Sequence, residues 1–363
     1  MNEAYIRSLS LKNFRCFTSS KLNFDSPVVL IEGANGSGKT SLLEAIHYAC
    51  YMRSFRALSP RDMIQFGSES FFITTTFNEH TVSVGVLQTG ATTTKRQVKV
   101  DQTSITSHKE LREYCRVVTT TEDDLQLIKG GPEKRRAFID HALFLVDAQA
   151  LDIFKLYQDI LDNRNALLSK QVHVDEQQLI FWTQKLWDIS KIIQTTRQDL
   201  LEHIKAKALT TLKIFWPESS IAFDYLAKET NQSTLEEFLE ESKANGFFEK
   251  EKRYGRTLFG AHLDDIEITI GSKKARYFSS RGQQKLLVMV LKIALVEHLL
   301  ATQGQTAFLL DDFTTDFDQI VIYKLMEVCL GMRAQLIFVS PLLQGQESIF
   351  LTQKGILSLN ITL

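Results

Sequence analysis

The chain has 363 residues, of which 44% are hydrophobic and 23% charged, and its formal net charge is −1. This is the profile of a globular protein with room for two or three structural units, and the balanced charge confines any contact with nucleic acid to a local patch. The four cysteines form no C-x-x-C pair, which indicates reduced thiols and a cytoplasmic location. The N-terminus has no secretory pattern, and the most apolar stretch, 286–300, carries three ionisable side chains, so no membrane association is expected.

The first part of the chain predicts a strand pair and then a strand–loop–helix unit. Apolar and polar side chains interleave along 5–24, which favours two edge strands. The β-branched run 28–31 predicts a buried strand, and the apolar spacing of 41–46 is that of a helix. The glycine-rich segment between them reads G-x-x-x-x-G-K-T, and these flanks are the context in which that spacing forms a phosphate-binding P-loop.

The glycines of this loop allow backbone N–H groups to converge on phosphate oxygens, and the helix N-terminus favours an anion. Lys39 is predicted to reach the β- and γ-phosphates of ATP, and Thr40 to hold Mg²⁺ through its hydroxyl. A plain glycine-rich turn before a helix is the competing interpretation, but it explains neither residue. The predicted nucleotide-binding residues in this segment are Gly33, Ala34, Asn35, Gly36, Ser37, Gly38, Lys39, Thr40 and Ser41.

Two later segments differ in their periodicity. Residues 71–106 are rich in Thr and Val, which predicts a small antiparallel sheet with a polar hairpin tip at 91–94. Along 133–168 and 179–193, apolar side chains recur at helical spacing. We expect two long helices folded back on each other and ended by Trp216-Pro217, forming a helical subdomain core because the seam is too short for a coiled-coil arm.

The α/β pattern returns after residue 260, with strands predicted at 266–270, 307–310 and 336–339 and a helix at 283–300. The strand at 307–310 is followed by Asp311 and Asp312. In P-loop ATPases the first such acid holds Mg²⁺ and the second polarises the attacking water. The predicted metal ligands are therefore Thr40 and Asp311, and the predicted catalytic residues are Asp312, Lys39 and Asp311; an acidic turn at a strand end is the simpler alternative.

A short polar motif precedes the long helix. Ser280, Gly282 and Gln283 resemble the signature motif of ABC-type ATPases, which touches the γ-phosphate bound to the opposite subunit. A hydroxyl, a glycine N–H and a helix N-terminus all favour an anion. The competing interpretation is that Ser280 only caps the helix.

Taken together, these motifs resemble the RecF family of SMC/ABC-type ATPases, and the resemblance covers essentially the whole chain in order. The most specific stretch is 130–140, which reads G-G-P-x-x-R-R-x-F-I-D. The other stretches that carry the resemblance are 33–40 with 43–46, 260–262 with 264–265, 280–283, and 311–312.

The resemblance implies an α/β fold: an ABC/SMC-type P-loop ATPase head with an antiparallel β subdomain and an inserted helical lid domain. We place the N-terminal ATPase half at 1–142, the helical lid at 143–253 and the C-terminal ATPase half at 254–363. The function implied is ATP-dependent DNA binding in recombinational repair and replication maintenance. Implied with it are an ATP-dependent homodimer, binding of single- and double-stranded DNA and gapped junctions, recombinase loading, SOS induction, slow ATP hydrolysis, and RecR with RecO as partners.

The sequence departs from the family pattern at four places. Thr121 stands where the family has Pro before an acid, and Ala261 interrupts the usual Gly-Pro-His. Asp316 stands for the Glu of the D-loop, and Ser340 for the His that usually contacts the γ-phosphate. These departures leave open a relative that binds ATP without useful hydrolysis. A transporter's nucleotide-binding subunit is a second alternative, but transporters lack the insertion between the ATPase halves and the G-G-P-x-x-R-R stretch that accompanies it.

Three basic clusters are candidates for phosphate contacts with DNA. For each cluster, a solvated face with local Glu partners is the alternative, and no platform of interleaved aromatic side chains is evident. The clusters are Lys134, Arg135 and Arg136; Lys250, Lys252, Arg253 and Arg256; and Lys273, Lys274 and Arg276.

Overall fold

The computed structural model describes residues 5–90, 92–169, 175–228, 234–340 and 357–360. The chain forms two compact units: Met1–Asp124 together with Met289–Leu363, and Leu125–Val288. The three-part division at residues 142 and 253 follows the motifs and stays a prediction. None of the described helices has an apolar stretch long enough to cross a membrane.

In chain order the strands and helices are β1 (Ile6–Phe14), β2 (Phe17–Asn23), β3 (Val28–Glu32), α1 (Lys39–Tyr51), β4 (Ser70–Phe77), β5 (His80–Gln88), β6 (Thr94–Val100), β7 (Thr103–Ser104), α2 (His108–Tyr114), β8 (Val117–Thr120), α3 (Gln126–Lys129), α4 (Pro132–Val146), α5 (Ala150–Leu168), α6 (Glu176–Phe215), β9 (Ile221–Leu226), α7 (Leu235–Ala244), α8 (Phe247–Tyr254), β10 (Asp265–Ile270), β11 (Lys273–Lys274), α9 (Ala275–Phe278), α10 (Arg281–Thr302), β12 (Ala307–Leu310), α11 (Gln319–Leu330), β13 (Gln335–Ser340) and β14 (Leu357–Asn360).

An antiparallel sheet of six strands, ordered β2-β1-β4-β5-β6-β7, belongs to the first unit. Its strands β1, β4 and β5 place buried side chains between more exposed ones because one face packs on the core. The predicted strand pair and the predicted antiparallel sheet are both present, but they are one sheet, since β1 pairs with β4 (Leu11 opposite Ile73). Of the predicted hairpin tip, Ala91 lies outside the described residues, and Thr94 already belongs to β6.

A parallel sheet of five strands, ordered β14-β3-β13-β12-β8, lies in the same unit. Its strands β12 and β13 are buried along their whole length, as expected for a parallel sheet covered on both faces. Parallel pairing brings the carboxyl ends of β3, β13, β12 and β8 to one edge, where ligands of open α/β sheets bind. Strand β8 was not predicted, because four residues with the sequence V-V-T-T give too short a periodic signal.

Helix α1 contacts strands of both sheets. Its residue Tyr48 packs against Phe71 of the antiparallel sheet, with 5.7 Å between ring centroids, and His47 bonds to Thr119 Oγ1 at 2.9 Å beside the parallel sheet. No side chain caps the N-terminus of α1, so no side chain competes there with a ligand of the P-loop for the first N–H groups of the helix.

The second unit is mainly helical. The predicted helix pair is present: α5 and α6 pack on each other, α6 ends one residue before Trp216, and the first predicted helix is divided into α4 and α5 by a turn at 147–149. An internal ion pair between Arg164 and Glu251, both fully buried, ties α5 to α8. The strands β9, β10 and β11 form a small antiparallel sheet beside these helices.

Candidate nucleotide-binding site

The P-loop follows β3 and ends where α1 begins. Gly36 and Gly38 have φ angles of 85° and 86°, which favour glycine over any other residue. A Cβ on Gly38 would lie 2.6 Å from Cys16 Sγ and 2.7 Å from Phe17 Cζ, so the position also lacks space for a side chain. Ser37 Oγ is buried and has no hydrogen-bond partner among the described residues, which fits a hydroxyl that would donate to a phosphate oxygen of a bound nucleotide.

Lys39 lies across its own loop. Its Nζ donates to the carbonyl oxygens of Gly33 at 2.7 Å and Ala34 at 2.8 Å. An ammonium group has three donors, so one N–H remains to meet a phosphate. Burial lowers the pKa of Lys39, and the nearby Asp311 carboxylate opposes that shift.

Thr40 and Asp311 meet at the edge of the parallel sheet. Thr40 Oγ1 donates to Asp311 Oδ1 at 3.0 Å, across 271 positions of sequence. Burial raises the pKa of Asp311, whereas the bond from Thr40 opposes the rise. A hydroxyl and a carboxylate are oxygen donors that suit Mg²⁺, which takes its other ligands from phosphates and water. No set of three or more His, Cys, Asp or Glu side chains that would hold a metal occurs in the described part of the chain.

Asp312 has a φ of 52°, a left-handed conformation that is uncommon outside glycine and is often found at functional sites. Thr315 Oγ1 donates to its Oδ2 at 2.6 Å and fixes the carboxylate. Ser340 is the last residue of β13, the strand between β3 and β12. Its side chain is almost fully buried, and its Oγ lies 3.5 Å from Thr314 Oγ1. Both Asp312 and Ser340 line the same cleft as Lys39.

The cleft at this edge has a volume of about 910 Å³. Sequence analysis missed several of its residues. Arg15 is one of them: it donates from Nε and Nη2 to the two carboxylate oxygens of the fully buried Glu44, at 2.9 and 2.6 Å. The only sequence signal was an Arg in the turn between two predicted strands. The other cleft residues that were not predicted include Phe55, Arg56, Asp62 and Ile64.

The signature-like motif belongs to the second unit. Ser280 Oγ accepts the N–H of Gln283 at 3.3 Å, and Gln283 Oε1 accepts the N–H of Ser280 at 2.9 Å. This reciprocal pair is a capping box at the start of α10. The alternative predicted for Ser280, a helix cap, is therefore present in the chain. Because Ser280 and Gln283 are also exposed, the cap leaves them accessible to a ligand or a second subunit.

The fold and the site define a P-loop ATPase head of the kind found in SMC proteins. Residues 8–254 match the family model of an AAA domain. The Smc head domain of Pyrococcus furiosus superposes with a TM-score of 0.53 over 93% of this chain and 89% of that one, at 16% identity, which is a likeness of fold.

More specific similarities concern RecF. The DNA replication and repair protein RecF of Natranaerobius thermophilus is 30% identical over 86% of this chain and 85% of its own length. A solved structure of the recombination mediator RecF with ATP, in the RecFOR pathway, has a TM-score of 0.80 and 26% identity, covering 95% of both chains. The chain belongs to the AAA-domain family and to the RecF DNA replication and repair proteins. The predicted fold class and family are thereby confirmed.

Proposed function

We propose that this protein is an ATP-switched DNA-binding protein of recombinational repair and replication maintenance. The observation that carries the proposal is the cleft in which Lys39, the Thr40–Asp311 pair and Asp312 surround one P-loop. In the proposal, ATP lies on residues 33–41, with its phosphates toward Lys39, and Mg²⁺ binds Thr40 and Asp311. Asp312 would orient the attacking water, and Mg²⁺ at Thr40 and Asp311 would neutralise the charge that develops on the phosphate oxygens.

We expect hydrolysis to be slow, so that ATP acts mainly as a switch. An Asp at position 312 reaches less far than the Glu common in ABC ATPases, and Ser340 replaces the usual His. A fully inactive relative, able to bind but not cleave ATP, is the second candidate; the left-handed Asp312, held by Thr315, favours a working carboxylate.

The switch in this proposal is a dimer. Ser280, Gly282 and Gln283 of one copy contact the ATP held by the P-loop of a second copy, and the same contact made twice gives a symmetric dimer. ATP stabilises the dimer by mass action, and loss of the γ-phosphate releases it. The dimer then binds DNA in the form of single strands, duplexes and gapped junctions. It acts in the cytoplasm, where it supports recombinase loading and SOS induction together with RecR and RecO.

The test of the dimer is Ser280→Arg, with Ser272→Arg as the matched control. Ser272 is exposed on the turn between β10 and β11, so the same side chain is added to the same unit away from the motif. Sedimentation with ATP and Mg²⁺ is expected to show dimers for the unmodified protein and for Ser272→Arg. Ser280→Arg is expected to bind ATP as a monomer, because the new guanidinium fills the space facing the phosphate. Equal dimerisation by Ser280→Arg would reduce the motif to a helix cap.

A transporter subunit, the remaining alternative, predicts a different result. It would associate with membranes and show no ATP-dependent affinity for DNA. Binding of gapped and plain duplexes, measured with and without ATP, therefore separates the two classes of protein.

A further inference from the structure

The three basic clusters seen in the sequence differ in how their charges are used within the fold. In the first, the Arg135 guanidinium is nearly buried and donates to both carboxylate oxygens of Asp265, at 2.6 and 3.0 Å. Arg136 donates to the backbone carbonyl of Asp264 at 2.6 Å. These two side chains hold α4 to the start of β10, which leaves only Lys134 of this cluster facing solvent. The first cluster is therefore mainly structural.

The third cluster is also partly engaged. Lys274 Nζ forms an ion pair with Glu267 at 2.5 Å on the neighbouring strand. Lys273 lies 5.2 Å from the ring centre of Phe278, and Arg276 lies 5.4 Å from that of Tyr277. In the third cluster, Lys274 is therefore neutralised by an ion pair, and Lys273 and Arg276 lie against aromatic rings of the same segment.

The second cluster, on and after α8, is different. Among the residues that the structure describes, no carboxylate pairs with Lys250, Lys252, Arg253 or Arg256. The acid in their midst, Glu251, points inward. Its carboxylate accepts from Arg164 Nη1 and Nη2 at 3.0 and 2.6 Å and from the Leu258 N–H at 2.7 Å, and it is fully buried. The Glu251 carboxylate is therefore paired with Arg164 inside the unit and does not neutralise the neighbouring cations.

Burial fixes which way α8 faces. Phe248 packs with Leu168 and Leu179 in an apolar cluster, and Glu251 lies one turn further on the same side. Lys250 and Arg253, three positions apart, consequently share the exposed side. The left-handed Gly255, with a φ of 64°, ends the helix and brings the Arg256 N–H to within 3.3 Å of the Glu251 carbonyl oxygen. The cations are therefore held on a helix and its cap.

Helix energetics alone do not explain this charge. A cation in the last turn of a helix is favoured by the macrodipole, which accounts for Lys252 and Arg253. It does not account for Lys250 in the first half of α8 or for Arg256 beyond its end. Four cations lie within seven positions, and the only exposed acid of α8 itself is Glu249, on a chain whose net charge is −1.

We propose that Lys250, Lys252, Arg253 and Arg256 are the residues that hold the phosphate backbone of DNA. This inference rests on the proposed DNA-binding function and names the surface that performs it. Phosphates are shared by single and double strands, so one patch of cations serves both forms, and it does so without reading sequence.

The experiment compares three proteins in the presence of ATP and Mg²⁺. The first is unmodified, the second has alanine at Lys250, Lys252, Arg253 and Arg256, and the third has alanine at Lys134, Lys273 and Arg276. Affinity for a labelled single strand and for a labelled duplex is measured over a range of salt concentrations. The thermal midpoint and ATP affinity of each protein are measured in parallel, since both should stay unchanged when only exposed or half-buried cations without a carboxylate partner among the described residues are removed.

The α8 variant is expected to lose affinity by at least ~10-fold on both forms at low salt, and the slope of log affinity against log salt should fall by roughly one per lost contact. The variant of the other two clusters is expected to lose much less. If the α8 variant binds like the unmodified protein, or if the other variant takes the larger loss, this assignment is wrong. If the unmodified protein binds no DNA, the proposed function itself fails.

Discussion

Lys39→Ala tests the centre of the candidate site. The substitution removes an ammonium group that has two backbone acceptors at 2.7 and 2.8 Å and one N–H left for a phosphate. Hydrogen bonds to charged groups are worth about 1.5–3 kcal/mol each. The one remaining N–H, directed at the β- and γ-phosphates, is therefore worth about 1.5–3 kcal/mol, which corresponds to roughly 10- to 100-fold in affinity.

The measurement is calorimetric titration with ATP in the presence of Mg²⁺. Lys12→Ala is the matched control, because Lys12 is an exposed lysine of β1 in the same unit. Lys39→Arg is expected to retain part of the affinity but to misplace the phosphates, since a planar guanidinium does not replace a point charge. Unfolding midpoints show whether the loop survives without its internal bonds. An ATP affinity for Lys39→Ala equal to that of the control would refute the assignment of this lysine to the phosphates.

Two further predictions concern hydrolysis and stability. Asp312→Asn should keep ATP affinity but slow turnover by ~100-fold or more, because the carboxylate that orients water is lost; turnover that survives the change in a phosphate-release assay would mean that another group positions the water. Glu251→Gln should lower the free energy of unfolding by about 3–5 kcal/mol, because the buried Arg164 then lacks its carboxylate. In urea titrations the double variant Arg164→Met/Glu251→Leu should recover most of that loss, and equal destabilisation by both would contradict this explanation.

The local motifs of the site were readable because each depends on a short stretch. The P-loop needs a strand, a glycine-rich turn and a helix in immediate succession, and all three lie within residues 28–51. The two acids after β12 follow the same logic, since a buried apolar run ends in charged residues at a sheet edge. The structure brings Thr40 and Asp311 into contact at 3.0 Å, although they lie 271 positions apart, and their binding of Mg²⁺ stays a prediction.

Other features were beyond the reach of local patterns. Strand β8 has only four residues, and its position in the sheet is decided by its pairing with β12. The hydrogen bond from Thr120 Oγ1 to the Leu309 carbonyl oxygen joins the two strands across 189 positions of sequence. The union of β1 with β4 likewise depends on register between distant strands. Periodicity reports which face of an element is buried, but it does not report which element lies against it.

The sequence by itself determined the P-loop, the acidic strand end, the helical insertion and the family, because these are encoded in spacings over a few tens of residues. Only the tertiary structure decided how each charge is used. Arg135 and Arg253 are both cations in short basic runs, yet Arg135 meets Asp265 from 130 positions away while Arg253 meets no acid among the described residues. The physical reason is that an ion pair depends on distance in space, and a buried carboxylate such as Glu251 can leave its charged neighbours without a partner.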